Sequence, residues 1–147
     1  MRQANVYMRR VPVGELNSIC LPCDARPTEG IAVYTVTGKA ADGSKVYLQP
    51  VTQMKAGHAY LFRSKQRQAT FHCDEATVMS PVSGLPLQGT FHHNPSLVKG
   101  SYVLYDSAWH PAGDRLSIHA YCATLCLAAL PDGSEGEPMP VSQESLL

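Results

Sequence analysis

No stretch of this chain is apolar for long enough to cross a bilayer as a helix, because a run of roughly 18 such residues never occurs. Charge is scarce as well: 16% of the 147 residues carry it, against about a quarter in an ordinary globular chain. Twelve basic side chains cancel twelve acidic ones, and no Lys/Arg-rich tract concentrates them. A nucleic-acid binder needs such a tract to hold phosphates, so that class is set aside. The pairs Arg9-Arg10 and Lys65-Gln66-Arg67 read as solvated strand ends and turns. The opening "MRQANVYMRRVPV" lacks the apolar centre of a secretory signal, so the chain reads as either cytosolic or a mature domain.

Compact catalytic signatures are missing too. There is no G-x-S-x-G elbow, H-E-x-x-H, P-loop or G-x-G-x-x-G. Acidic residues are too scattered to nominate the paired carboxylates of a glycosidase. The expectation is a protein that is not an enzyme and uses no cofactor.

What the chain does have is short, punctuated apolar segments, with 11 Gly and 11 Pro between them. "NVYMRRVPV" alternates, with Val6, Met8 and, less cleanly, Arg10 on one side. "IAVYTVTG" is rich in β-branched residues, and Ala41-Asp42-Gly43-Ser44 is a hairpin turn before "KVYLQPV", so these two runs pair antiparallel. "HAYLFRS" and "QATFHC" follow. Pro81, Gly84 and Pro86 then forbid a long regular element in "DEATVMSPVSGLPLQG". In "LSIHAYCATLCLAAL", Ile118, Ala120 and Cys122 alternate with His119, Tyr121 and Ala123, which favours a strand to Leu125 over a helix. From Pro131 the Pro, Gly, Ser and Glu content predicts a flexible tail or linker, residues 131–147, after a single domain of residues 1–130. The fold class is all-β: an antiparallel β-sandwich or jelly-roll-like pair of sheets with about nine to eleven short strands.

The succession "YMRRVPVGELNSICLPCDA", "GIAVYTVTGKAADGSKVYLQPVTQMKAGHAYLF" and "GSYVLYDSAWHPAGDRLSIHAYCATL" resembles a β-rich accessory module of secreted and surface proteins of Bacteroidetes. That module opens on a W-N-T-L-C-L-P-F-D-like strand, continues through a tyrosine hairpin and an A-G-x-P-Y-L-like strand, and closes on G-x-Y-V-L and A-Y-L-like segments. The matching places are Leu16 to Asp24, Val33 to Val51, Ala56 to Leu61, Gly100 to Leu104 and Ala120 to Tyr121. Leu16 stands where the module has Trp, Cys23 where it has Phe, and His58 replaces a polar or small residue. The resemblance implies an extracellular or cell-surface part, active in adhesion, glycan or protein contact, or domain spacing. It brings no catalytic residues with it.

The cysteines offer the alternative. Cys20 and Cys23 form a C-x-x-C, and Cys122 and Cys126 a C-x-x-x-C, so the four could clasp a metal or do thiol chemistry. Against this, residues i and i+3 of a strand face opposite ways, and Cys122 and Cys126 would sit about 13 Å apart on one strand. In the resembling module Cys20 corresponds to a small core residue and Cys23 to an aromatic one. Buried packing thiols are therefore the expectation, with a disulfide, a metal site and redox chemistry as alternatives. Of His58, His72, His92, His93, His110 and His119, the adjacent pair looks most like metal ligands, yet adjacent strand residues point apart. Among the aromatics, Trp109 is placed in a turn near a rim, with Tyr105 and His110 beside it, as the ligand-contact candidates. A structural or assembly subunit is the third reading.

Overall fold

A computed structural model describes residues 5–92, 101–111 and 120–142. The fold is all-β, as the punctuated runs predict. Its strands are β1 (Asn5–Arg10), β2 (Asn17–Cys20), β3 (Cys23–Pro27), β4 (Ile31–Lys39), β5 (Lys45–Val51), β6 (Ala59–Ser64), β7 (Gln68–Thr77), β8 (Leu87–Gly89), β9 (Tyr102–Tyr105), β10 (Ala108–Pro111), β11 (Ala123–Leu125) and β12 (Glu137–Pro140). One turn of 3-10 helix spans Leu127–Ala129.

These strands form three antiparallel sheets rather than two. A central sheet runs β12-β5-β4-β6-β2, an outer sheet β1-β7-β3, and a second outer sheet β10-β9-β11-β8. Each face of the central sheet carries its own apolar core. Leu16, Cys20, Val36, Val46, Leu48, Ala59 and Leu61 point towards the β8–β11 sheet, where they meet Leu87, Trp109 and Leu125. Ile19, Val33, Tyr60 and Phe62 point the other way, onto Ala69 and Phe71 of the β1-β7-β3 sheet. Strand β6 displays the logic most clearly: "AYLF" is buried at all four positions, because alternate side chains enter opposite cores. Phe62 then meets Phe71 edge-on, ring centroids 5.1 Å apart.

The predicted hairpin forms between β4 and β5, in register from Val33↔Val51 to Lys39↔Val46 with a bulge between Val36 and Gly38. Gly43 takes φ 73° at its turn. Asp42 Oδ1 accepts hydrogen bonds from the Ser44 N–H at 3.0 Å and the Ser44 hydroxyl at 2.6 Å. The runs "HAYLFRS" and "QATFHC" part company, since β6 joins the central sheet and β7 the outer one.

The C-terminal expectations need correction. Part of the strand expected before Leu125 lies outside the described residues, and only Ala123–Leu125 is extended, after Tyr121 at φ 61°. Nor is the chain from Pro131 to Ser142 a free tail. Lys39 N–H donates to Pro131 O and Gly133 N–H to Lys39 O, each at 3.0 Å. Gly38 permits this approach, because a Cβ there would stand 3.1 Å from Gly133 O. Strand β12 then pairs with β5 and buries Met139, and Val141 follows into the same core. Its two prolines are tolerated because β12 is an edge strand.

Candidate functional site

The C-x-x-C comes apart between sheets. Leu21-Pro22 carries the chain from β2 in the central sheet to β3 in the outer one. Cys20 therefore enters one core and Cys23 the other. Cys20 is packed so closely on Gly89 that a Cβ at that glycine would collide with its Sγ. Burial pushes the Cys20 thiol up to about 12. Cys122 is half-buried and Cys126 exposed. The four thiols offered as a metal or redox cluster do not converge, and among the described residues no three His, Cys, Asp or Glu side chains do. Of the histidines, His58 and His110 are half-buried, His72 and His92 are exposed, and His93 and His119 lie outside the described residues.

Trp109 is not at a rim. It lies within β10, fully buried, and its indole Nε1 finds no hydrogen-bond partner among the described residues. Its carbonyl accepts the Ser142 N–H at 2.6 Å, so the C-terminal segment clasps it from behind. A ring with no exposed face cannot stack on a ligand. The reading of Trp109 as a ligand contact is overturned, while its two neighbours remain in play. Tyr105 is 61% exposed. The half-buried His110 meets it edge-on, ring centroids 6.0 Å apart.

Tyr105 borders an open cleft of about 510 Å³, with Arg9, Glu15, Asn17, Asp106 and Cys122 among its other walls. That volume lies within the ordinary range for small-ligand sites. The β9–β10 hairpin that borders the cleft is held in an uncommon geometry. Asp106 and Ser107 form its two-residue tip with φ 51° and 59°. Positive φ at both positions is what a primed turn demands, and Asn-Gly usually supplies it. Here tertiary contact compensates: Ser107 Oγ accepts the Leu16 N–H at 2.9 Å, pinning the hairpin tip to the start of β2. Strained residues of this kind cost about 1–3 kcal/mol each and concentrate at functional sites.

Among the described residues, Arg9 is the one cation in the cleft's wall. Its Nε donates to Tyr7 Oη at 2.8 Å, Nη1 to Ser18 O at 2.7 Å, and Nη2 to Tyr121 O at 2.8 Å. The guanidinium carbon lies 5.4 Å from the Tyr7 ring centre and 5.7 Å from that of Phe62. One side chain thus ties β1, β2 and the Tyr121 corner together. Arg9 had read as a solvated strand end; instead it and Tyr7 point inward, while Val6 and Met8 are exposed. The only hint in the sequence was the alternation itself, which puts Tyr7 and Arg9 together opposite Val6 and Met8. With three of its five N–H donors committed, Arg9 leaves the cleft's character to Glu15, Asp106 and Asn17. Asn17 Nδ2 donates to Glu15 O at 3.0 Å, which leaves its Oδ1 as an acceptor.

No family model matches this chain, and neither does any curated protein or any solved structure.

Proposed function

We propose that this chain is a non-enzymatic β module of an extracellular or cell-surface bacterial protein, and that the Tyr105 cleft contacts a hydroxyl-rich ligand, a neutral glycan. One observation carries the reading. An exposed aromatic residue, Tyr105, stands at the foot of a pinned hairpin tip and shares one cleft with Glu15, Asp106 and Asn17. Sugars are held in this manner, with C–H faces on a ring and hydroxyls donating to fixed acceptors. Anionic sugars are disfavoured, since Glu15 and Asp106 repel them and Arg9 is largely engaged by the protein. The likeness to the Bacteroidetes module, carried by the order of its motifs, supplies the compartment and the accessory role.

The decisive experiment is a chemical-shift titration of the chain with neutral and acidic oligosaccharides. Perturbations should cluster on Tyr105, Asp106 and Asn17 for a neutral sugar, and Tyr105→Ala should abolish them. A neutral-glycan panel that leaves these residues unmoved would refute the reading.

A structural or assembly role draws on a different surface. Val6 is 48% and Met8 56% exposed on the outer face of β1, a strand at the edge of its sheet. A solution mass above that of one chain, restored to the monomer by Met8→Lys, would favour this second reading.

A further inference from the structure

Cys23 and Cys73 were not paired by any spacing in the sequence, yet the β3–β7 ladder brings them together. Ala25 stands opposite Cys73 and Cys23 opposite Thr77, with the register shifting between the two pairs. Both cysteines pack into the core beneath the β1-β7-β3 sheet, Cys23 as a buried member and Cys73 against its margin. Diagonal neighbours on one sheet face have Cα atoms about 7–8 Å apart, slightly beyond the usual reach of a disulfide. The irregular register provides the slack that a regular ladder would lack. The remaining thiols stand apart: Cys20 belongs to the other core, Cys122 borders the cleft and Cys126 is exposed.

We propose that Cys23 and Cys73 form a reversible disulfide when the protein meets a hydroperoxide, stapling β3 to β7. The half-exposed Cys73 is reached first. Its sulfur attacks the peroxide, the O–O bond breaks, an alcohol or water departs with the thiol proton, and a sulfenic acid remains. Cys23, 5% exposed, then attacks that sulfur; the S–O bond breaks and water leaves with the Cys23 proton. Two thiols are oxidised and one hydroperoxide is reduced, so the balance closes. Burial, the Cys73 contact and the charges of Asp24 and Asp74 push the Cys23 thiol up to about 12. The second step is consequently slow, and the staple answers sustained rather than brief oxidation. Nothing in this depends on the cleft's ligand.

The test treats the folded chain with hydrogen peroxide, alkylates the remaining thiols and maps the peptides by mass spectrometry. The expected product is a Cys23–Cys73 linked peptide, reversed by dithiothreitol. Cys73→Ser should leave Cys23 reduced and alkylatable, and Cys23→Ala should leave Cys73 as a sulfenic acid that dimedone traps. The wild-type and Cys73→Ser arms decide the matter even where Cys23→Ala misfolds. Irreversible oxidation of wild-type Cys73 beside a reduced Cys23, or a bridge through Cys122 or Cys126, would overturn the proposal.

Discussion

The two cores, on opposite faces of one sheet, are assembled in different ways. Every buried member of the core against the β1-β7-β3 sheet comes from between Val11 and Phe71, in the first half of the chain. The core against the β8–β11 sheet draws members from Leu16 to Val141, and Met139 and Val141 seal it last. The first closes on aromatic contact and on Arg9, whose guanidinium lies over Tyr7 and Phe62. The second closes on the C-terminal segment and on a glycine against a thiol. One core is local and braced by a cation; the other is long-range and depends on the chain's end.

The sharpest way to break that comparison is to remove the end. A chain stopped at Leu130 loses the β12–β5 ladder and the buried Met139 and Val141. Two such side chains contribute about 1.5–3 kcal/mol each by area alone, before any cavity left behind. Denaturant unfolding of the truncated chain should show a loss of about 4 kcal/mol or more. A midpoint equal to that of the full chain would mean that residues 131–147 are a linker after all.

The contrasting test strikes the first core. Arg9→Ala removes three charge-assisted hydrogen bonds and leaves the Ser18 and Tyr121 carbonyls without that donor. About 3 kcal/mol of destabilisation follows from the usual worth of such bonds. Arg9→Lys should recover only part of it, because an ammonium cannot reach three separated acceptors in a plane. Full recovery by lysine would reduce Arg9 to a generic surface cation. Binding at the Tyr105 cleft should weaken in both variants, since Arg9 is one of its walls.

The same contrast explains what could be read in the sequence. The β4–β5 hairpin was legible because its information is local, with a β-branched run, Asp-Gly and a second run. The burial of Cys20 and Cys23 as packing thiols was legible, but its cause was not. The chain changes sheets at Leu21-Pro22, where the sequence suggests the alternation of one continuous strand. Arg9 was not legible, because Tyr121, one of its partners, lies 112 positions away. Composition hid β12: "EPMPV" looks like a linker, although Met139 and Val141 keep the two-residue period of a buried edge strand. Trp109 was misplaced for a related reason. The sequence reading puts Trp109 itself in a turn, whereas the register places it within β10, on the face of the hairpin opposite the exposed Tyr105. The Cys23–Cys73 approach depends on a register shift that no spacing encodes.

The last test, small over any one pH unit, separates the cores by titration. Each holds one deeply placed thiol, Cys20 or Cys23, raised by burial from an ordinary 9.0 to about 12. Folded thiols in that window keep a proton that the unfolded chain has already released. Stability is therefore intact below 9.0 and falls as pH climbs towards about 12. Each thiol removes about 1.4 kcal/mol per pH unit while the two states differ by a full proton. Cys20→Ala should flatten the alkaline slope of unfolding free energy by one thiol's share, measured against each variant's own stability at pH 8, as should Cys23→Ala. The double variant should lose both shares, because the central sheet keeps the two sulfurs in separate cores. An unchanged slope in Cys20→Ala would mean that this thiol reaches solvent, and that the core closed by the chain's end is looser than the core closed by Arg9.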